Sequence, residues 1–200
     1  MNLSSVPSQK RRYQMLARAD AAAATRERLL AAAWRHFATR PYEDVRLREV
    51  AEDAGVTAQT LHAHFGSKDQ LLSAAFWWWG QREIERRDAA PVGQVRRAIA
   101  MLFDHYEAHG SAVLRMLSQE ERHPAIRKLT DAGRAYHHAW VERTFQPLLD
   151  DLRGAARERR LGAMVVATDL LVWKLLRRDM RLDRKQAEEI MIEMVESSPR

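Results

Sequence analysis

Apolar residues recur every three or four positions along most of the chain, which is the pattern of amphipathic helices. We predict that the first clear helix is capped by Thr25 and ends before Pro41, with apolar positions at Leu29, Leu30, Ala33, Trp34 and Phe37. No segment alternates with a period of two, and only eight Gly and six Pro are present to make turns. The sequence therefore predicts an all-α fold.

Two short helices and a longer one are predicted next. The second helix contains Val50 and Ala51 and ends at Gly55, and the third is capped by Thr57. Residues 67–70 (Ser-Lys-Asp-Gln) have the sequence of a capping box, which opens a fourth helix.

The second half of the chain also has helical periodicity. After a break at residues 91–93, a helix is predicted to close at Gly110, and Ser111 to cap a short one. A long helix is predicted from Pro124 towards Gly154, with a kink at Pro147.

The last two predicted helices are one long segment over residues 157–180 and one capped by residues 183–186. The natural boundary between domains lies near residues 77–92. We therefore expect a basic arm over residues 1–24, a compact helical domain over residues 25–76, and a larger helical domain over residues 77–200.

The composition favours a folded chain, because 46% of the residues are hydrophobic and 30% are charged. Cysteine is absent, which excludes disulfides, thiolate metal ligands and cysteine nucleophiles in this sequence and suits a reducing compartment.

No apolar run is long enough for a secretory signal or a membrane span. We expect a cytoplasmic protein without a membrane partner; a transit peptide is the less favoured reading of the Arg-rich start.

Positive charge is concentrated at the start of the chain. Residues 1–40 contain eight Lys and Arg against two acidic residues, and the other 160 residues carry balanced charge, so this segment accounts for the net charge of +6. A basic segment on a neutral body suits an anionic partner such as a nucleic acid or an acidic membrane. A solvated tail that only aids solubility is the alternative.

Residues 47–65 have the pattern of a helix-turn-helix, in which two short helices cross through a tight turn. Ala51 is small where the helices would touch, Gly55 can adopt a positive φ, and Val56 and Leu61 are expected to be buried. The start of the second helix would then face DNA, with short polar side chains able to reach base edges. An ordinary helical hairpin is the alternative.

The same residues resemble the tetracycline-repressor (TetR) family of bacterial transcription regulators. The resemblance covers about fifty residues and is carried by residues 25–33, Phe37, Tyr42, Val50, Ala51, Ala54, Gly55, Val56, residues 65–68, Leu71 and Leu72. It implies an all-helical homodimer in which three N-terminal helices bind DNA and a larger C-terminal domain dimerises and binds a small ligand. In the family, ligand binding typically separates the two DNA-binding heads and releases the operator.

Two positions depart from the family pattern. Arg46 replaces the usual Ser or Thr cap of the first motif helix, which removes a cap and adds a positive charge where a phosphate would lie. His62 stands where the family favours Tyr after the recognition-helix Leu, and it could meet a phosphate in a pH-dependent way.

From these patterns we assign the DNA contacts to two groups. Phosphate contacts are expected from Arg26, Arg46, Arg48, Thr57, His64 and Lys68. Base contacts are expected from Ala58, Gln59, Thr60 and His62. Residues 9–20 are basic and helix-prone, and we expect them to form an arm that reaches an adjacent groove.

The C-terminal half is rich in aromatic residues and methionine, which suits a pocket for an apolar or aromatic ligand. The candidate pocket residues are Trp78, Phe103, Tyr106, Met116, His137, Trp140 and Trp173. For any single one of these residues, packing in the core is the alternative.

The last two helices are apolar over more than one face, which predicts a dimer interface built as a four-helix bundle. The candidate interface residues are Val165, Thr168, Val172, Leu176, Ile190 and Met194. The core of a monomer is the alternative. Two-fold symmetry would place two recognition helices about one DNA turn apart and would require a near-palindromic operator.

Enzymatic and metal sites are not predicted. His105 and His109 have the i, i+4 spacing of two metal ligands, but no third ligand stands out near them in the sequence. There is no nucleophile elbow and no Gly-rich phosphate loop. We therefore predict no catalytic residues, no metal and no cofactor.

The function predicted is a ligand-responsive repressor that binds an operator in double-stranded DNA and is found at the bacterial nucleoid when bound. A DNA-compacting protein without an effector, an activator of the same fold, and an enzyme that borrowed the fold are the alternatives.

Overall fold

The computed structural model describes residues 9–197, with side chains from residue 12 onward. Within this range the chain is helical and contains no strand, which confirms the all-α prediction. The helices are α1 (Gln9–Thr39), α2 (Leu47–Asp53), α3 (Ala58–Phe65), α4 (Lys68–Asp88), α5 (Val95–Leu117), α6 (Pro124–Thr144), α7 (Gly154–Ala167), α8 (Leu170–Lys174) and α9 (Arg184–Ser197). Among the described residues, no helix has the length and apolar character needed to cross a membrane.

The chain divides into two compact units, Met1–Trp78 and Trp79–Arg200. The N-terminal unit contains α1 to α3 and the start of α4. The C-terminal unit contains the end of α4 and α5 to α9.

The prediction that α1 begins at Thr25 is wrong, because the helix is already formed at Gln9. Residues 9–24 are mostly Ala, Arg, Gln, Leu and Met, which are strong helix formers, and nothing among them stops a helix. Thr25 lies inside α1 and accepts a hydrogen bond from Arg28 Nη2 at 3.2 Å. Of the predicted arm, residues 9–24 are thus the first half of a helix, and residues 1–8 lie outside the described residues.

Three predicted helix caps are confirmed. The Thr57 hydroxyl accepts the backbone N–H of Thr60 at 3.2 Å. In the capping box before α4, the backbone N–H of Gln70 donates to Ser67 Oγ, and that of Ser67 donates to Gln70 Oε1, both at 3.2 Å. Residues 183–186 form the same reciprocal pair at the start of α9.

The prediction that a helix closes at Gly110 is wrong, because α5 continues to Leu117 and Ser111 caps nothing. Gly110 is needed for close packing instead. A Cβ placed there would lie 2.8 Å from the ring of Trp173 and 3.1 Å from Leu170 Cδ1. The glycine therefore marks a contact between α5 and α8, which a local pattern does not reveal.

Two long helices predicted farther along are each interrupted. α6 ends at Thr144, and Pro147 lies in a separate 3₁₀ turn (Gln146–Leu148), so there is no kinked helix reaching Gly154. The predicted helix over residues 157–180 is divided into α7, α8 and a π-helical turn (Leu175–Asp179).

The break between α7 and α8 has a local cause. The Thr168 hydroxyl donates to the carbonyl of Met164 at 2.8 Å, and the Asp169 carboxylate accepts the N–H of Leu171 at 2.7 Å. Thr and Asp side chains compete for backbone groups in this way, so they end one helix and cap the next.

The core of the C-terminal unit collects apolar residues from every helix after α4. Its largest fully buried side chains are Trp140, Trp173, Phe103, Phe145, Ile99, Leu102 and Leu149. In the N-terminal unit the fully buried side chains include Leu29, Leu30, Leu61, Leu71 and Leu72.

The Gly110 contact predicts the effect of adding one methyl group. Gly110→Ala gains about 1 kcal/mol of helix propensity but forces its Cβ against the buried Trp173 ring, and overpacking of a core costs about 1–3 kcal/mol. We expect a net loss of about 1 kcal/mol or more in the free energy of unfolding, measured by urea denaturation.

Gly133→Ala is the matched control. Gly133 also lies inside a helix, but a Cβ there meets nothing within 4 Å. This variant should gain up to about 1 kcal/mol. Equal effects of the two substitutions would show that Trp173 does not constrain position 110.

Candidate functional site

α2 and α3 form a helix-turn-helix whose turn is held by the backbone. Gly55 has a φ of +69°, which favours glycine. The N–H of Gly55 donates to the carbonyl of Glu52, and the N–H of Val56 donates to that of Ala51, both at 3.0 Å. Ala51 is buried where the two helices meet. The geometry is the one that the spacing predicts.

Side chains of α1 hold the C-terminal end of α2, and Arg35 Nη2 lies 3.8 Å from Asp53 Oδ2 there. Arg28 Nε donates to the carbonyl of Ala54 at 3.2 Å. His36 Nε2 donates to Asp53 Oδ2 at 2.9 Å, and His36 is itself buried. Sequence reasoning missed both hydrogen bonds, because they join residues that lie 26 and 17 positions apart.

The first turn of α3 presents short uncharged side chains. Ala58 and Gln59 are exposed, and Thr60 is half-buried with its hydroxyl 2.9 Å from that of Thr57. His62 is exposed, and its Nδ1 donates to the carbonyl of Gly66 at 3.1 Å. Because a carbonyl only accepts, Nδ1 carries the proton and Nε2 is the ring nitrogen available to a ligand.

The basic residues assigned to phosphates differ in their surroundings. Arg26 is exposed and lies 5.4 Å from the centroid of the Phe65 ring, while Arg46 is exposed at the start of α2 and makes no capping hydrogen bond. Arg48 is paired with Glu52 at 2.8 Å, which offsets its charge. His64 is half-buried against Phe65.

Lys68 is fixed at the start of α4. Its Nζ donates to the carbonyl of Glu43 at 3.4 Å and lies 4.3 Å from the centroid of the Tyr42 ring. Partial burial lowers the pKa of Lys68. Tyr42 in turn donates a hydrogen bond to Asp69, so this cation is positioned by neighbours on both sides.

The residues predicted to line a ligand pocket lie mostly in the core of the C-terminal unit. Phe103, Tyr106, Met116, Trp140 and Trp173 are all buried. The Tyr106 hydroxyl donates to the carbonyl of Thr168 at 2.8 Å, and Trp140 Nε1 donates to that of Arg87 at 2.9 Å. Trp78 is half-buried and belongs to the N-terminal unit.

A buried arginine, which sequence reasoning missed, lies among these aromatic residues. Arg87 is only 8% exposed, and its guanidinium lies 4.7 Å from the ring centroid of Trp140 and 5.1 Å from that of Tyr136. Burial lowers its pKa. Its Nε has no hydrogen-bond partner among the described residues, and the same is true of the buried Trp173 Nε1. The C-terminal unit thus contains two buried N–H donors, Arg87 Nε and Trp173 Nε1, that have no acceptor among the described residues.

His137 links this arginine to α7. Arg87 Nη2 lies 3.0 Å from His137 Nδ1, and His137 Nε2 lies 3.2 Å from the Thr168 hydroxyl. Because arginine only donates, Nδ1 is the acceptor and the imidazole is neutral with its proton on Nε2. Burial, followed by the charge of Arg87, lowers the pKa of His137 to about 3.

A second cluster joins α4 to α5. Glu83 Oε2 lies 3.4 Å from His105 Nδ1 and 3.2 Å from His109 Nε2. Burial, followed by the charge of Arg87, lowers the pKa of His105 to about 3. The histidine spacing was visible in the sequence, but Glu83 is brought to it by the packing of another helix.

The residues predicted for a dimer interface are not all exposed. Thr168 and Leu176 are buried in the chain's own core, while Val165, Val172 and Ile190 are half-buried and Met194 is exposed. Because the predicted helix is broken at Thr168–Asp169, different residues face outward. Val166, Leu171 and Leu175 are 62%, 57% and 49% exposed.

The buried histidine predicts a sensitivity to acid. An unfolded histidine has a pKa near 6.5, so below about pH 6.5 the unfolded chain takes up a proton that the folded His137 does not. The protein then loses roughly 1.4 kcal/mol per pH unit for this group. In His137→Gln, which can keep both hydrogen bonds, the loss of unfolding free energy between about pH 7 and about pH 5 should be smaller by roughly 1–2 kcal/mol.

Urea denaturation at both pH values measures this difference. His138→Gln, on the exposed surface of the same helix, is the matched control for loss of a histidine. If the two variants have the same pH dependence, His137 is not the buried neutral group that its contacts indicate.

Comparison with known proteins is consistent with this geometry. Residues 29–75 match the family model described as bacterial regulatory proteins, tetR family. No curated protein matches the chain in sequence.

Solved structures share the fold of the chain. A transcriptional regulator from Rhodococcus sp. Rha1 has a TM-score of 0.67 and 18% identity, over 86% of this chain and 95% of its own. A tetR-family transcriptional regulator from Streptomyces coelicolor has a TM-score of 0.65 and 19% identity, over 86% of this chain and 77% of its own. A TetR transcription regulator from Haloarcula marismortui has a TM-score of 0.62 and 16% identity, over 88% of this chain and 98% of its own.

These structural similarities establish the fold, and the match over residues 29–75 establishes the kind of N-terminal domain. Residues 29–75, which contain the helix-turn-helix, thus match the tetR family of bacterial regulatory proteins, and the rest of the chain shares its fold with solved transcriptional regulators.

Proposed function

We propose that this regulator is a repressor that binds a near-palindromic operator as a homodimer and is released from it by a small apolar or aromatic effector. The observation that carries the proposal is the first turn of α3, where Thr57, Ala58 and Gln59 are exposed together on a helix-turn-helix. Such side chains can enter the major groove, where Gln pairs well with adenine and a methyl group packs against thymine.

Affinity for DNA would come from exposed cations around this turn. Arg26, Arg46 and Lys68 surround the motif without a carboxylate directly bonded to them in the contacts described above. The first half of α1 adds Arg12 and Arg18, both exposed. Contacts of this kind bind phosphates without regard to sequence, so affinity should fall steeply with salt.

The second copy in the dimer would be held by the C-terminal unit. The exposed Val166, Leu171 and Leu175 lie on α7, α8 and the π-helical turn, and large apolar side chains exposed on neighbouring elements favour an interface. Met194 and the half-buried Ile190 on α9 extend the candidate surface. A two-fold axis through this surface would pair two copies of α3 with two half-sites.

The effector would bind in the C-terminal unit. The aromatic residues there supply an apolar environment, and Arg87 Nε and Trp173 Nε1 are buried donors that lack an acceptor. Because a buried unsatisfied donor is costly, these groups favour an apolar effector that also carries a carbonyl or carboxylate oxygen.

Selection of bound DNA from a random pool tests the proposal most directly. We expect enrichment of a near-palindrome with half-sites about one helical turn apart. The enriched DNA then serves to screen aromatic carboxylates for release. Equal affinity for random DNA with no compound effect would favour a DNA-compacting protein, and transcription assays at the operator would separate a repressor from an activator.

Gln59 is expected to read a base. Gln59→Ala should relax the base preference at one position of each half-site, because a bidentate contact to a base discriminates by about 1–3 kcal/mol. Repeating the selection with the variant measures this change. An unaltered preference would remove Gln59 from the base-contacting set.

Lys68 is expected to contact a phosphate. Lys68→Met removes its positive charge but keeps an apolar side chain against the Tyr42 ring. It should weaken binding to all sequences alike and reduce the slope of log affinity against log salt by about one. The base preference should not change.

The exposed apolar residues are expected to hold the dimer. Leu171→Glu with Leu175→Glu should weaken dimerisation at least about 10-fold, because each carboxylate would be desolvated without a partner. Analytical ultracentrifugation measures the change. Val92→Glu, at a 52% exposed residue in the α4–α5 connection, is the control and should leave the dimer intact.

A further inference from the structure

We propose that Glu83, His105 and His109 form a binding site for a divalent transition-metal cation of the zinc class. The site lies wholly in the C-terminal unit and uses none of the residues assigned to DNA. The inference goes beyond the proposed function and stands independently of DNA binding.

Two of the three donor separations match those around a small tetrahedral ion, and the third donor pair lies within reach of the same ion. Bonds of about 2.0–2.1 Å place two ligand atoms of a tetrahedral zinc about 3.3 Å apart. Glu83 Oε2 lies 3.4 Å from His105 Nδ1 and 3.2 Å from His109 Nε2. The three ligand atoms all lie within 4.8 Å of one another.

Helix geometry explains how these donors meet. His105 and His109 are one turn apart on α5, so both imidazoles lie on the same face of the helix. Glu83 comes from α4 and is buried against that face. Two imidazoles and one carboxylate are a known zinc-binding set that leaves the fourth position for water or another ligand.

Neighbouring side chains orient the donors. Arg86 Nη1 bonds Glu83 Oε1 at 2.9 Å, which leaves Oε2 directed at the imidazoles. Trp79 forms a wall of the site, with ring centroids 6.3 Å from His105 and 5.1 Å from His109. Fixing metal ligands through such outer contacts is typical of metal sites.

The two imidazoles and one carboxylate also determine which metal ions the site can bind. Imidazole suits zinc, cobalt, nickel and copper, whereas magnesium and calcium prefer sites made entirely of oxygen. The cluster should therefore select zinc-class ions over magnesium and calcium. A network of hydrogen bonds without a metal would show no such selectivity.

Titration calorimetry of the tag-free full-length protein with Zn²⁺ tests the site. We expect one tight site per chain in the wild type and no comparable site for Mg²⁺. His109→Gln and Glu83→Gln should each weaken the site at least about 10-fold. The control His138→Gln removes an exposed histidine of α6 and should bind as the wild type does.

Two further measurements do not use the ligand variants, so the test stays valid if those variants fold poorly. Co²⁺ should give the intense visible absorption of a four-coordinate ion, and Cu²⁺ should quench tryptophan fluorescence less in Trp79→Phe than in the wild type. Six-coordinate, aqua-like cobalt absorption, no tight Zn²⁺ site, or tight binding that persists in both ligand variants would each overturn the proposal.

Discussion

The direction in which α3 points depends on how α2 is held, and side chains of α1 bond the C-terminal end of α2. The last carbonyl and the last carboxylate of that end, from Ala54 and Asp53, are both bonded by side chains of α1. A two-helix motif with one short turn is too small to be rigid alone. The long helix α1 fixes the position of α2, and the turn at Gly55 then fixes the orientation of α3 relative to α2.

The C-terminal unit differs from the described part of the N-terminal unit in that a charged side chain, Arg87, is buried among its aromatic rings. Arg87 lies between Trp140 and Tyr136 and is connected through His137 to the break between α7 and α8. Buried groups of this kind stabilise a structure only when every donor finds an acceptor. Here the hydrogen bonds are incomplete at Arg87 Nε and Trp173 Nε1, and leaving buried donors unpaired costs stability that the surrounding apolar packing must offset.

The local parts of the fold could be predicted from the sequence, and the contacts between distant segments could not. Thr57 and the capping box at residues 67–70 act on their neighbours within three positions, so the pattern identifies them directly. Gly110 looks like a helix end until Trp173 is packed against it. The burial of Arg87 and the approach of Glu83 to two histidines likewise depend on helix packing that no local spacing encodes.

The early start of α1 changes how the charge at the beginning of the chain behaves. Residues 9–24 form about 24 Å of helix at 1.5 Å per residue, and their described side chains are exposed. Such a segment gains no tertiary contacts of its own and is extended from the packed part of α1, where nucleation has already occurred. A helix–coil equilibrium therefore governs how far apart its positive charges lie, and rising temperature shortens this part of the helix from its N-terminal side.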